Sequence, residues 1–291
     1  MTNQRPKLSI LILTWNGAQV IKKNLDSIFK HWPKDNSWEL IVVDNDSKDE
    51  TKEIVKKYKR IKLIENRKNH GFAKGNNIGI PKAIGKYVLF LNQDIEQKGK
   101  AIQKMIDFLD ENEKYGLVAP QLLYPNGNIQ LSCRPFYNWK NIFIDYLTLG
   151  WYRKSCYDHF KSQTVDQPMA SVLMIRKKIL DKVKGFDAQR DFWIYFNDMD
   201  LSYRIHKEGY SHYLLTEAKF FHHHGESTRK LFEGKRLWEY HRGLKRYFLK
   251  HHIKGRFSLS WWVLCFLVLP LSFLMMLVKS FLLAILQRIR K

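Results

Sequence analysis

The sequence is poor in cysteine and in acidic residues, and it lacks the glycine-rich motifs of several large enzyme classes. Its three cysteines, Cys133, Cys156 and Cys265, are far apart and have neither metal-binding nor redox spacing. This pattern favours free thiols in a reducing compartment. No G-x-G-x-x-G follows the first apolar segment, and no G-x-x-x-x-G-K-[ST] occurs anywhere in the chain. The hypotheses of a dinucleotide-binding protein and of a P-loop protein therefore lose their main support.

Acidic residues are outnumbered, with 28 Asp and Glu against 50 Lys and Arg, which gives a formal net charge of +22. Much of the excess lies between Arg229 and Arg256, a segment with ten basic residues and only two acidic ones, Glu233 and Glu239. Such a block is typical of a solvated helix face, a nucleic-acid patch or a segment that lies on anionic lipid. The next run, residues 258–278, is uncharged and apolar, and it favours the lipid surface over nucleic acid.

This apolar run has about the 20 residues needed to cross a bilayer, but Pro270 would interrupt a straight helix. Basic residues flank both of its ends, so charge does not set an orientation. We expect an interfacial or re-entrant hairpin ahead of a true span, with an anionic membrane surface as its partner. The residues before the first predicted strand contain no signal-peptide core, which favours the cytoplasmic side.

The first half of the chain alternates between short apolar runs and segments of helical periodicity. The pattern predicts an α/β fold with a doubly wound, mostly parallel sheet. Later in the chain, Asn126-Gly127 predicts a hairpin, and a further strand is expected at 171–175. The four strands predicted for the first half are residues 8–13, 38–43, 61–64 and 87–91.

Polar residues follow three of these strands, in Thr14-Trp15-Asn16, Asp44-Asn45-Asp46 and Asn92-Gln93-Asp94. Ligands of doubly wound sheets bind beyond the carboxyl ends of the strands, so the three segments together predict a ligand site. Gly71 to Asn77 is rich in Gly and Asn at an expected helix start. It is either a capped flexible loop or a place where backbone amides and Lys74 approach a phosphate or ribose.

Two further motifs lie in the second half. An aromatic run from Phe192 to Phe196 precedes Asp198 and Asp200 at an expected helix start, where Asp198 is either a general base or a helix N-cap. His222-His223-His224 is either a polar strand end or the source of one metal or phosphate ligand. On a strand, His222 and His224 would share a face.

Taken in order, these motifs resemble those of family 2 glycosyltransferases of the GT-A type. Among them, they look most like the bacterial rhamnosyltransferase-like enzymes of cell-surface polysaccharide assembly. The resemblance covers roughly residues 7 to 250. The segments that carry it are Thr14-Trp15-Asn16, Val42 to Ser47, Asn69 to Gly79, Leu91 to Asp94, Ser171 to Arg176, Gly185-Phe186-Asp187, Tyr195 to Arg204 and His222 to Ser227.

The chain departs from the family pattern at two places. Asn197-Asp198 stands where such enzymes usually have Glu-Asp, and Asn92-Gln93-Asp94 stands where they have Asp-x-Asp. The first change removes a negative charge next to Asp198, which taken alone lowers the pKa of that carboxyl. The second leaves one carboxylate in the metal motif.

The resemblance implies an inverting transfer from a dTDP- or UDP-linked sugar, with L-rhamnose favoured, to a glycan or a polyprenyl-diphosphate-linked acceptor. Asp198 would be the general base, and Asp94 with His222 would hold Mg²⁺ or Mn²⁺. Asp200 and Trp193 would orient the acceptor, or Asp200 would cap its helix. The residues expected around the nucleotide-sugar are Thr14, Asn16, Asp44, Asn45, Lys74, Asn76, Asn92 and Asp94.

The expected organisation is a transferase domain at 1–227, a basic helical segment at 228–256 and an apolar membrane-associating tail at 257–291. The runner-up in a similar fold, a sugar-phosphate nucleotidyltransferase, would have a Gly-rich loop with Arg and Lys early in the chain, which residues 13–19 lack. A metal-dependent hydrolase would have a helical ligand spacing such as H-E-x-x-H. We expect no nucleic-acid partner, because much of the basic excess adjoins the apolar tail.

Overall fold

The computed structural model describes residues 5–148, 151–188, 195–223, 233–253, 263–268, 270–271 and 273–274. The strands are β1 (Leu8–Thr14), β2 (Trp38–Asp44), β3 (Ile61–Glu65), β4 (Tyr87–Asn92), β5 (Ile95–Lys98), β6 (Tyr115–Leu123), β7 (Ile129–Gln130), β8 (Cys133–Arg134), β9 (Gln163–Val165), β10 (Gln167–Pro168), β11 (Val172–Arg176) and β12 (Ser211–His222). The helices are α1 (Ile21–Phe29), α2 (Thr51–Lys56), α3 (Gly71–Gly79), α4 (Ala101–Glu111), α5 (Trp139–Leu147), α6 (Trp151–Ser155), α7 (Lys177–Lys182), α8 (Asn197–Lys207) and α9 (Glu233–His251). Ile80–Lys82 forms a 3₁₀ turn and Leu264–Val268 a π-helical turn.

The first four strands form the parallel half of the sheet, in the order β3-β2-β1-β4. Their side chains alternate between two apolar layers, because neighbouring residues of a strand face opposite sides. Ile10 and Ile12 of β1 pack in the layer that contains α1 and α4, while Leu11 packs in the layer that contains α3 and α7. Both faces are covered, as the uninterrupted apolar runs predicted.

The second half of the sheet is mixed, so the prediction of a mostly parallel sheet is wrong there. Strand β11 lies between β4 and β6 and is antiparallel to both, whereas β12 is parallel to β6 and antiparallel to β5 and β9. The reason is the route of the chain. Strand β6 ends at the edge where β1 and β4 end, and β11 begins at that same edge, so β11 must run back. The predicted Asn-Gly hairpin is confirmed by the pairing of β7 with β6.

The segment between β6 and β11 does not cross over as one helix, and α5 packs with α8 and α9 into a separate apolar cluster, called the α5–α9 cluster below. Phe136, Phe196, Leu244 and Phe248 are buried members of this cluster. Helix α9 approaches closely at Gly243, where an added Cβ would lie 2.7 Å from the Phe196 ring. The basic segment predicted at 228–256 is therefore helical over the range of α9, and one side of it belongs to the core.

The predicted apolar tail lies mostly outside the described residues. Of its described part, Val268 is fully buried in the α5–α9 cluster, and the Phe273 ring lies 5.8 Å from the His241 ring of α9. Phe266 and Leu274 are exposed. Within the ranges that the structure describes, no helix has the length and apolar character that a membrane crossing requires. The interfacial hairpin stays a prediction.

Candidate active site

The three polar segments predicted to form a site do meet at one edge of the sheet. Thr14 pairs in register with Asp44, and Leu13 pairs with Asn92, so the carboxyl ends of β1, β2 and β4 lie side by side. Helix α3 begins beside this edge and packs against β1 and β2. The carboxyl ends of β1, β2 and β4 and the start of α3 thus form one continuous surface, called the wall of the site below.

Asp44 presents a buried acceptor at this wall. One carboxylate oxygen, Oδ2, accepts a hydrogen bond from the backbone N–H of Ser47 at 2.9 Å. The other, Oδ1, is buried and has no hydrogen-bond donor among the described residues. Burying such an oxygen without a donor is costly, and native structures rarely leave one unsatisfied. Its chemistry fits a ligand N–H, such as that of a pyrimidine base.

Thr14 and Asn16 hold the loops of this wall in place through their hydrogen bonds. The Thr14 hydroxyl donates to Gln93 Oε1 at 2.6 Å, and the backbone N–H of Trp15 donates to the same oxygen at 3.0 Å. Asn16 Oδ1 accepts from the Lys48 backbone N–H at 2.8 Å, so Asn16 ties the loop after β1 to the loop after β2. Beside them lies a cavity of about 320 Å³ lined by Asn16, Gly17, Gln19, Val20, Lys48, Asp49 and Gln93.

Asn45 holds the loop that precedes α3, through four hydrogen bonds of one buried side chain. Its Nδ2 donates to Asn69 Oδ1 at 3.0 Å and to the Gly71 carbonyl at 3.2 Å. Its Oδ1 accepts from Asn66 Nδ2 at 3.0 Å and from the His70 backbone at 3.2 Å. Asn45 therefore positions the helix start, with its own polar atoms already engaged.

Helix α3 begins at Gly71, as predicted, and brings Lys74 and Asn76 to the wall. Asn76 is buried and donates to the Phe72 carbonyl at 3.0 Å, whereas Lys74 is exposed. Close packing depends on Gly75, where an added Cβ would meet Leu13 Cδ1 at 2.6 Å. Lys74 is the basic residue of this helix, and its approach to a phosphate stays a prediction.

Asp94 and His222 form the candidate metal site. Asp94 Oδ2 lies 3.6 Å from His222 Nε2, and both side chains are buried. The other ring nitrogen, Nδ1, lies 2.9 Å from Gln130 Oε1. An amide oxygen can only accept, so this contact places a proton on Nδ1, and in the neutral imidazole the Nε2 lone pair then faces Asp94. No third His, Cys, Asp or Glu joins them among the described residues.

Asn24 fixes the turn that carries Asp94, and sequence reasoning missed it. Its side-chain Nδ2 donates to the Asn92 carbonyl at 2.9 Å and to the Ile95 carbonyl at 2.8 Å. The Asn92 backbone N–H in turn donates to the Ser171 carbonyl at 2.9 Å. The available signal was an asparagine on the otherwise apolar buried side of α1.

Asp198 is the second residue of α8, as predicted, and is half-buried at the start of the helix. The preceding residue, Phe196, has a left-handed φ of 70°, a strained conformation for a bulky side chain. Burial raises the pKa of the Asp198 carboxyl, against the opposing charge of Arg134 and the N–H of Met199. The absence of a neighbouring acidic residue, which taken alone lowers this pKa, is outweighed by the loss of solvent.

Asp200 does not face an acceptor, and this part of the prediction is corrected. Its fully buried carboxylate accepts from Arg204 Nε at 2.8 Å, Lys250 Nζ at 2.6 Å and His251 Nε2 at 2.8 Å. Burial alone would raise its pKa, but the His251 hydrogen bond and the charges of Arg204 and Lys250 lower the pKa of Asp200 to about 2. Asp200 instead joins α8 to α9.

Two other predicted positions, Trp193 and His224, lie outside the described residues, and their roles stay predictions. Sequence reasoning also missed Arg134, which lies on β8 close to Asp198. The only signal was its place in Cys133-Arg134-Pro135 between the Asn-Gly hairpin and the next helix, which is too weak to indicate a site.

Comparison with solved structures agrees with this architecture. The mannosyltransferase PcManGT from Pyrobaculum calidifontis, solved in complex with GDP-Man and Mn²⁺, superposes with a TM-score of 0.60 over 96% of this chain and 76% of that one, at 16% sequence identity. At this level of identity the likeness shows the fold, which is α/β and GT-A-like with a mixed sheet.

Sequence comparisons give the family. The chain is 28% identical over 204 residues to an uncharacterized glycosyltransferase of Methanocaldococcus jannaschii, which covers 65% of this chain and 64% of the relative. It is 25% identical over 219 residues to the poly(ribitol-phosphate) β-N-acetylglucosaminyltransferase TarP of Staphylococcus aureus, covering 67% and 64%. The match thus spans less than two thirds of either relative. Residues 9–184 match the profile described as Glycosyl transferase family 2, so the chain belongs to this family.

Proposed function

We propose that the chain transfers a sugar from a nucleoside-diphosphate sugar to an acceptor hydroxyl, with inversion at the anomeric carbon. The observation that carries this proposal is the unsatisfied Asp44 Oδ1, buried on the same wall as the Asp94–His222 pair. A ligand with an N–H donor at one end and a diphosphate at the other fits both. Membership of glycosyl transferase family 2 supports the same class of donor.

The donor is proposed to be dTDP- or UDP-linked. Asp44 would accept the N–H of the pyrimidine ring, and Lys74 would approach the phosphates from α3. A uracil or thymine ring has one such N–H on its pairing edge, whereas a guanine ring offers two donors there. Among the sugars, L-rhamnose is the first to test.

Asp94 and His222 are proposed to hold Mg²⁺ or Mn²⁺ together with diphosphate oxygens. The residues fit such an ion because a carboxylate oxygen and an imidazole lone pair converge at 3.6 Å, with Gln130 fixing the tautomer. When bound, the ion would neutralise the negative charge that develops on the nucleoside diphosphate as it leaves. The Mn²⁺ in the complex of the P. calidifontis mannosyltransferase supports this assignment.

Asp198 is proposed to be the general base. The acceptor oxygen attacks the anomeric carbon from the side opposite the diphosphate, and its proton passes to the Asp198 carboxylate. As the new C–O bond forms, the bond from the anomeric carbon to the diphosphate oxygen breaks, which inverts the configuration. A pKa raised by burial makes this carboxylate a stronger base, provided that it remains ionised at the working pH.

The acceptor is proposed to be a glycan or a polyprenyl-diphosphate-linked glycan at the cytoplasmic side of the bacterial inner membrane, in cell-surface polysaccharide synthesis. Exposed Phe266, Leu267, Phe273 and Leu274 of the tail, together with the basic residues of α9, support contact with an anionic membrane surface. TarP, which acts on poly(ribitol-phosphate) by its name, supports a cell-surface polymer as the acceptor class.

The test is release of nucleoside diphosphate by the purified full chain from a panel of dTDP-L-rhamnose, UDP-N-acetylglucosamine, UDP-glucose and GDP-mannose. Each donor is assayed with Mn²⁺ and with EDTA, and the anomeric configuration of the product is read by NMR. We expect one pyrimidine-linked donor to dominate and to give an inverted product. A retained configuration, or no turnover of any donor with a membrane extract as acceptor, would contradict the proposal.

A further inference from the structure

We propose that Arg134 forms an acceptor subsite for an anionic group, a phosphate or a carboxylate, next to the base Asp198. This inference rests on the proposed function. It adds the chemical class of the acceptor, which must carry a negative charge near the hydroxyl that reacts.

The backbone brings Arg134 to the start of α8. Strand β8 pairs with β10 so that Arg134 lies opposite Gln167, and β10 packs directly against α8. The backbone of Ala170, just beyond β10, is near enough to the Asp198 carboxylate to lower its pKa. Arg134 and Asp198 are therefore neighbours across a short two-stranded sheet.

The position of β8 is fixed by a buried histidine. His159 Nε2 accepts hydrogen bonds from the backbone N–H groups of Ser132 at 3.0 Å and Cys133 at 2.9 Å. Its Nδ1 lies 3.0 Å from the Tyr157 carbonyl, which requires the proton on Nδ1. Burial lowers the pKa of His159 and so favours this neutral form. The His159 imidazole thus links the backbone of Cys133, the residue before Arg134, to the Tyr157 carbonyl.

Arg134 lacks the partners that its neighbour has. The Arg153 guanidinium lies 3.6 Å from Asp145 Oδ2 and donates to the hydroxyls of Tyr137 and Tyr240. The Arg134 guanidinium is half-buried, and no carboxylate of the described residues lies within 4.0 Å of it. Burial and the charge of Arg153 lower the pKa of Arg134, which shows that a cation is costly at this position.

An anionic ligand would remove that cost. A guanidinium presents a planar fork of donors that matches the two oxygens of a carboxylate or phosphate, and such charge-assisted pairs are strong when partly buried. The rings of Tyr137 and Phe196 stack at 5.9 Å inside the buried cluster beneath the start of α8, so the helix start that carries Asp198 is supported from below. An acceptor with its anionic group on Arg134 would direct a neighbouring hydroxyl to Asp198.

The first measurement needs no turnover. Inorganic phosphate is titrated by ³¹P NMR into the full chain already saturated with diamagnetic Mg²⁺ and UDP or dTDP, so that the diphosphate site is filled. We expect saturable broadening with the wild type and none with Arg134→Met. Lys140→Met, which removes an exposed charge from α5, is the matched control and should behave as wild type.

The second measurement compares matched acceptors, glycerol with glycerol 3-phosphate and methyl glucoside with methyl glucuronide. Arg134→Met should lower kcat/KM for the anionic member of a pair by roughly 10- to 100-fold and change the neutral member by less than about threefold. Arg134→Lys, which keeps the charge without the fork, should fall between. The phosphate and carboxylate pairs distinguish the two sources of the anion.

Three results would overturn the inference. Equal losses with neutral and anionic acceptors, with the acid limb of the pH profile moved to higher pH, would mean that Arg134 acts only on the pKa of Asp198. A weaker affinity for the nucleoside diphosphate alone would assign Arg134 to the donor. Phosphate broadening that persists in Arg134→Met would place the anion elsewhere. Failure of the proposed function is distinct, because then the chain would bind no nucleotide at all.

Discussion

At the scale of single residues, the half-buried carboxylate of Asp198 links activity to stability. Its pKa is raised in the folded chain, so the folded state binds a proton more readily than the unfolded state. The stabilisation that this provides is complete below the unfolded pKa of about 3.9 and is lost as the pH rises through the raised value. At neutral pH the ionised group therefore destabilises the fold.

Replacing this carboxyl by an amide tests both consequences. Asp198→Asn should lower the rate of transfer by about 10²- to 10⁴-fold, because the proton acceptor is lost, and should leave donor affinity nearly unchanged. It should also raise the free energy of unfolding at pH 7, with the gain disappearing near pH 3. Turnover assays, donor titrations and urea unfolding at both pH values measure this. Retention of a third of wild-type turnover would exclude Asp198 as the base.

The metal assignment is tested at Asp94. Asp94→Ala should weaken binding of the nucleotide-sugar and remove most of its dependence on Mn²⁺, because His222 alone is a poor site for a hard cation. Glu96→Ala is the matched control, since it removes a carboxylate of β5 whose partner, at 2.7 Å, is His223. Calorimetric titration of each protein with the nucleotide-sugar, with and without Mn²⁺, measures the affinities to be compared. Unchanged metal dependence in Asp94→Ala would move the ion away from this pair.

The positions of the site residues were predictable from the sequence to a greater degree than their partners. The sequence located Asp44 and Asp94 after strands and Asp198 at a helix start, where the structure has them, and their roles stay predictions. Arg134 was not singled out, because an arginine becomes informative only when its neighbours in space are known. Asp200 was misjudged for the same reason, since Lys250 and His251 are distant in sequence.

At the scale of elements, α1 controls the turn that holds Asp94, through Asn24. Asn24→Leu keeps the side-chain volume but leaves two buried carbonyls without a donor, which should cost about 2 kcal/mol of stability. Because that turn carries Asp94, we also expect weaker Mn²⁺ and donor affinity. Asn112→Leu, which removes one hydrogen bond at the end of α4, should lower stability without changing donor affinity. Equal donor affinity in wild type and Asn24→Leu would limit Asn24 to a role in stability.

The same scale shows why part of the fold escaped prediction. Apolar runs located β1, β2, β4 and β11, and helical periodicity located α1, because these patterns reflect local burial. The direction of β11 depends instead on which edge the chain reaches after residue 123, and no periodicity encodes that. The Ser47 side chain does not cap α2, because its hydroxyl accepts a hydrogen bond from the Asn16 backbone N–H, and the helix begins after Glu50 without a side-chain cap.

At the scale of the whole molecule, we expect the apolar tail to contribute separately to stability and to membrane binding. Truncation after residue 255 removes the fully buried Val268 from the α5–α9 cluster and should cost about 2 kcal/mol. It should also weaken binding to anionic vesicles, because the exposed apolar residues are lost while the basic residues of α9, each worth about 1 kcal/mol near such a surface, remain. Phe266→Ser with Leu267→Ser, at exposed positions, should weaken vesicle binding while sparing stability. Vesicle flotation and thermal unfolding separate the two effects, and undiminished flotation of the truncated chain would contradict a membrane role for the tail.

Buried neutral histidines make the whole fold sensitive to acid. Burial lowers the pKa of His212 to about 4, and also lowers those of His159, His251 and His252. Such groups stabilise the fold above the unfolded pKa of about 6.5, and this stabilisation is lost as the pH falls towards the folded value. For His212 alone the loss is about 3 kcal/mol by pH 4. His212→Gln should flatten the fall in unfolding free energy over this range, which urea unfolding between pH 7 and pH 4 would measure.

The antiparallel insertion of β11 also governs the order in which a ribosome can complete the sheet. Strands β1 to β4 can pair as soon as they emerge, but both main neighbours of β6, β11 and β12, are synthesised after it. At about 5–20 residues per second, β6 waits several seconds for β11 with apolar edges unpaired. The nascent chain is thus exposed to aggregation during this interval. Slow translation or scarce chaperones should therefore reduce the soluble yield more than the stability of the finished protein would suggest.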